Sequence, residues 1–170
     1  MSISNALRRT PHWVAVSALL IFPAVSTPCA ADPGGGPFAG MSGHWSGGGT
    51  LQLESGANER ISCRADYSVD GSGTSLSQRL TCASDSYKLQ ISANVAAHGG
   101  ALSGSWSESV HGEGGGVTGS VSGSTIRAQV HGSSFSAGVG ISTGGRSQSV
   151  TITPTAGTSV RHVVISLHKG

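Results

Sequence analysis

Apolar residues fall at every second position in segment after segment of this chain, and that alternation limits its fold more than any other feature. The run Ile61, Cys63, Ala65, Tyr67, Val69, set against Arg60, Ser62, Arg64, Asp66 and Ser68, is among the cleanest. A period of two puts one set of side chains on each face of a strand, so one face can be buried while the other meets water. Gly, Asp-Gly or Pro bounds each segment, and these residues supply the backbone angles that turns require. Gly and Ser together make up roughly a third of the residues, a composition that without any period reads as disordered. The alternation decides for a folded β-domain.

Ten segments of this kind follow one another. The first covers residues 44–54 with Trp45, Leu51 and Leu53, and residues 55–58 turn the chain into the second. Later strands carry Leu76, Leu80 and Cys82; Tyr87, Leu89, Ile91, Ala93 and Val95; then Leu102, Trp106 and Val110. Val117 and Val121, then Ile126, Ala128 and Val130, mark the sixth and seventh. Phe135, Ala137, Val139 and Ile141 mark the eighth, Val150 and Ile152 the ninth, and Val163, Ile165 and Leu167 the last. Connections of about two to six residues suit consecutive hairpins, since a parallel crossover needs a longer link. The expected fold is an all-β, antiparallel up-and-down barrel of about 8–10 strands over residues 42–170, with a β-sandwich as the alternative. Closure removes both sheet edges, and an even strand count lets the first and last strands pair antiparallel. Many inward positions are Ala, Gly or Ser, so side chains need not fill the interior.

The first 31 residues read as an export signal: Arg8 and Arg9, an apolar stretch from Trp13 to Val25, then small residues at Cys29, Ala30 and Ala31. The stretch is too short for a stable membrane span and is interrupted by Pro23. Ser26 and Pro28 fit a lipid-anchor signal on Cys29 poorly. Residues 32–41, with Pro33, Gly34, Gly35, Gly36 and Pro37, are expected as a flexible linker. The expected location is periplasmic or secreted. Of the chain's ten basic residues two leave with the signal, so eight face eight acidic ones. A neutral chain offers no counterion-release term, which argues against nucleic acid as a partner.

Cys63 and Cys82 are then the only thiols. If they face one another across an antiparallel pair, Ala65 meets Leu80, Tyr67 meets Gln78 and Val69 meets Leu76, so apolar positions oppose apolar ones. A disulfide here is expected as a staple between the second and third strands. A redox role is disfavoured because there is no Cys-x-x-Cys.

Several catalytic patterns fail on context. Gly140-Ile141-Ser142-Thr143-Gly144 has the spacing of a nucleophile elbow, which requires a strand, a strained turn and a helix, whereas here a hairpin follows. Gly114-Gly115-Gly116-Val117-Thr118-Gly119 has dinucleotide-binding spacing but opens a strand, with no helix N-terminus to receive phosphate. His44, His98, His111, His131, His162 and His168 do not recur at ligand spacing, so no metal and no cofactor is expected. Glu108, Asp66 and Asp85 are expected as surface charges. The chain is not expected to be an enzyme, and no catalytic residue is assigned.

Ser42-Gly43-His44-Trp45 at the head of the first strand resembles the Gly-x-Trp signature of the calycin superfamily, which includes the lipocalins. The resemblance implies a Trp closing one end of the barrel with a basic residue of a late strand across it, and Arg161 is the residue matched to that role. It also implies carriage of a small apolar ligand. The same four residues are similar to the opening of bacterial periplasmic metalloprotease inhibitors, which implies a protein partner instead. The runs Glu59-Arg60-Ile61-Ser62-Cys63-Arg64-Ala65, Cys82-Ala83-Ser84-Asp85-Ser86-Tyr87 and Gly104-Ser105-Trp106-Ser107-Glu108 resemble a family of exported proteobacterial β-proteins over most of the mature chain. A monomeric small-ligand binder is the favoured expectation, with Trp45, Tyr67, Tyr87, Trp106 and Phe135 lining its interior.

Overall fold

In the computed structural model, which describes residues 35–170, every alternating segment has become a strand. The order is β1 (Gly43–Leu53), β2 (Asn58–Val69), β3 (Ser75–Ala83), β4 (Lys88–His98) and β5 (Ala101–Glu108), followed by β6 (Glu113–Ser122), β7 (Thr125–Gly132), β8 (Ser136–Gly144), β9 (Ser147–Ala156) and β10 (Val160–Lys169). Each pairs antiparallel with the next, and β1 pairs antiparallel with β10, which closes the barrel. Among the described residues no helix is long and apolar enough to cross a membrane. The expected export segment lies outside the described residues.

Register follows from the alternation. Cys63 faces Cys82, Ala65 faces Leu80, Tyr67 faces Gln78 and Val69 faces Leu76, as parity requires. The two cysteines form a disulfide with their Cα atoms 4.2 Å apart. Inward positions of β1, β2 and β10 form the densest part of the core, with Trp45, Leu51, Ala65 and Leu167 at 1% exposure. Close approach of these strands depends on glycine. A Cβ on Gly49 would stand 1.8 Å from the Val164 carbonyl oxygen of β10, so only a residue without one lets the strand bend there.

Residues 35–41 correct the expectation of a flexible linker. Gly36 N–H donates to the Ser72 carbonyl and Phe38 N–H to that of Gly73, 2.8 and 3.0 Å, which ties the segment to the β2–β3 turn. Phe38 is fully buried and Met41 nearly so. One large apolar side chain in a Gly/Pro-rich stretch is sufficient anchorage when an open barrel end lies beside it. We call this strapped end proximal and the opposite end distal. Val110, expected inside β5, lies beyond the strand and is 47% exposed, because the hairpin turn begins at Ser109.

Candidate functional site

The five expected lining residues do not form one cluster; the barrel divides them between its ends. Proximally, Trp45 of β1 and Tyr67 of β2 meet edge to face with ring centroids 6.2 Å apart. The Trp45 indole N–H donates to the Met41 carbonyl at 2.7 Å, so strap and barrel share a hydrogen bond. The Tyr67 hydroxyl donates to Gln148 Oε1 of β9 at 2.8 Å, and Gln148 Nε2 donates to Thr143 Oγ1 at 3.1 Å. That chain reaches past β1 and β10 and braces the interior. Burial pushes the Tyr67 phenol up to about 12, against a smaller lowering by Gln148, so it stays a neutral donor.

The basic residue over Trp45 is Lys169, whose Nζ lies 5.9 Å from the ring centroid and bonds the Gly40 carbonyl. Arg161 does not take that role. In the β1–β10 register Lys169 faces Trp45, whereas Arg161 lies at the other end of β10, beside the irregularity at Gln52/Leu53, and is exposed. The basic residue can only be identified once the pairing of the two terminal strands is known.

Distally, Trp106 and Phe135 meet edge to face at 5.7 Å, and the Trp106 indole N–H donates to the His131 carbonyl. Gly132 lies beneath the indole, where a Cβ would stand 3.1 Å from Cζ2 and so crowd the ring. Tyr87 stands apart, its hydroxyl 2.6 Å from Ser159 Oγ across the mouth. Phe135 and Tyr87 are half-buried.

Glu108 corrects the expectation of a surface charge. It is 5% exposed, in phase with Leu102 and Trp106 on β5. Its carboxylate accepts from the backbone N–H groups of Gln90, Val110 and His111, at 2.7–2.9 Å, and lies 2.9 Å from His111 Nδ1. Burial pushes its pKa up, but these hydrogen bonds outweigh it and bring the group to about 2. The parity was visible in the sequence. The donors were not, since two come from the following turn and one from the neighbouring strand.

Two further carboxylates stand on inward-phase positions at this mouth. Glu59, two residues before Ile61, bonds Ser84 and Ser86, and Glu113, two before Gly115, bonds Ser133 and Ser134. Hydroxyl donors, chiefly Ser86 for the first and Ser134 for the second, hold both below the usual carboxylate range. Asp66 pairs with His44 on the exposed outer face. No group of three His, Cys, Asp or Glu side chains among the described residues could hold a metal ion.

Phe38, Met41 and Trp45 are buried together in the core at the proximal end. Inward side chains elsewhere, among them Ile91, Val139, Ile141 and Ile152, are only partly buried although they pack against the core. Two open depressions, about 600 and 330 Å³, are lined by small polar residues of the wall such as Ser77, Asn94 and Ser149, together with Leu76 and Val95 in the first and Gln148 and Leu167 in the second. None of the five aromatic candidates lines either. Both are open and Ser-rich and enclose an apolar molecule poorly, so the barrel interior is the better candidate site.

No protein-family model matches the chain, and no curated protein does either. Solved structures do. The crystal structure of Rv2717c from M. tuberculosis matches with a TM-score of 0.58 at 13% identity, covering 78% of this chain and 94% of that one. The S-type phycobiliprotein lyase CPES from Guillardia theta matches at 0.53, also at 13% identity, over 78% and 89%. What the chain shares with them is the fold, an antiparallel β-barrel.

Proposed function

We propose that this barrel binds a small apolar ligand, taken up through the distal mouth between Tyr87, Trp106 and Phe135. The observation that carries the reading is the incomplete burial of Ile91, Val139, Ile141 and Ile152, inward-phase side chains in a closed ring of ten strands. An eight-stranded barrel is just filled by its own side chains, and ten strands with inward Ala65, Ala93 and Ala128 leave more room than that. The proximal end is occupied by the strap, which leaves the distal end for entry. The naming of one structural neighbour as a lyase assigns no catalytic residue here; Glu108, the buried carboxylate among the described residues, is engaged by three backbone N–H groups and His111. A disulfide between β2 and β3 supports a location outside the reducing cytoplasm, in the periplasm or beyond. In the protease-inhibitor alternative, residues 35–41 are docked on the β2–β3 turn, which leaves the loops as the part of the described residues that would meet a protein partner.

Native mass spectrometry of the oxidised protein, with titration of the neutral dye N-phenyl-1-naphthylamine, tests the proposal. A co-purifying apolar molecule, or saturable dye uptake with one dye per barrel, is the expected result. A bare mass together with no dye uptake rules the reading out.

A further inference from the structure

We infer that the interior selects by charge, accepting apolar molecules without a negative charge (alcohols, ketones, esters) and rejecting the corresponding carboxylates. This rests on the binding reading above and adds a ligand class to it.

Three carboxylates, Glu59, Glu108 and Glu113, occupy inward-phase positions at the mouth proposed for entry. Each is engaged by donors of the protein's own wall, which keep it ionised. An anion bound behind this mouth stands in the field of all three, and Glu108, 5% exposed, is screened less than a charge in bulk water, whereas Glu59 and Glu113 are half-buried and add a weaker, more screened repulsion.

Among the described residues, no Lys or Arg at this end faces the interior. Arg60, Lys88 and Arg161, the Lys and Arg residues at the same end, are exposed and stand out of phase with the interior or at its bulge, and His111 is more than half exposed in the β5–β6 turn with its Nδ1 taken up by Glu108. Lys169 lies at the proximal rim, bonded to Gly40 over Trp45, on the strapped side. A buried carboxylate needs a partner charge or several donors, and without them its desolvation is costly.

The interior instead offers neutral polar groups. Tyr67, Gln148 and Thr143 form a chain of uncharged donors and acceptors. Such a chain suits a hydroxyl or carbonyl group, which can exchange hydrogen bonds with it without carrying a charge into the barrel.

Methyl decanoate and decanoate share a chain and differ in charge, so the test is their displacement of bound N-phenyl-1-naphthylamine at neutral pH. Methyl decanoate is expected to displace the dye at about tenfold lower concentration or less. Raising the salt concentration should narrow that ratio by screening the mouth. The double substitution Glu59→Gln, Glu113→Gln should narrow it at low salt by lowering the concentration of decanoate needed. Equal or tighter binding of decanoate overturns the inference while dye uptake leaves the binding reading standing. So does a ratio indifferent to salt in the unsubstituted protein, an arm that does not depend on the variant folding. If the dye itself is not taken up, both readings fall together.

Discussion

Glu108 shows how a single residue can be misread when its face is known but its partners are not. A glutamate two positions after an inward Trp belongs to the interior by parity, yet a bare charge there would be costly. Donors converging on it reverse the balance, bringing its pKa to about 2 despite burial. An unfolded glutamate titrates near ~4.3, so the folded-state value is depressed and the stabilisation is fully present above that unfolded value. It is lost as pH falls toward 2, and amounts to about 3 kcal/mol at neutral pH. Glu108→Gln replaces one acceptor oxygen with an NH2 facing N–H donors, so urea unfolding at neutral pH should show a loss of about 2–3 kcal/mol. The gap between variant and parent should shrink as the pH is lowered toward 2. A gap that stays constant with pH would show that the charge is not what the site stabilises.

The strap is an element with little local preference for order. Residues 35–41 hold two hydrogen bonds to the β2–β3 turn and one each to Trp45 and Lys169, and their apolar contribution is Phe38 and Met41. Phe38→Ala should cost about 3 kcal/mol if the strap stays in place, less if it detaches. Limited proteolysis separates the two cases: detachment exposes residues 35–41 to early cleavage while the barrel from Gly43 onward resists. The strands show the opposite behaviour, since each is specified by its own alternation and, outside the Ser84–Tyr87 connection, its ends by nearby Gly. The turn after β2 illustrates this, with the Asp70 carboxylate accepting from the backbone N–H groups of Thr74 and Ser75 in a loop whose Gly73 has φ of 70°. Substituting Gly73 would both strain that turn and drive a Cβ to 2.6 Å from Gly36 N, undocking the strap.

For the whole molecule, the disulfide and the closure of the sheet constrain the same wall. Linking Cys63 and Cys82, nineteen residues apart, removes unfolded-state freedom corresponding to about 3 kcal/mol in the chain-entropy model. The Cys63→Ala, Cys82→Ala double variant should lose about that much by chemical denaturation yet keep its β-structure by circular dichroism, because Ala65–Leu80 and Val69–Leu76 hold the same register. Loss of the sheet altogether would mean that the bridge, rather than the pattern, sets the pairing. Sequence alone determined the strands, their inward faces and the cysteine register, because a period of two is a local property and a one-residue slip would turn every apolar side chain to water. Tertiary structure decided the rest: the docking of Phe38, the choice of Lys169 over Arg161 against Trp45, the donors around Glu108, and the division of the aromatic residues between two ends. Each of these depends on which distant segments meet when β1 closes on β10, and no local periodicity carries that information.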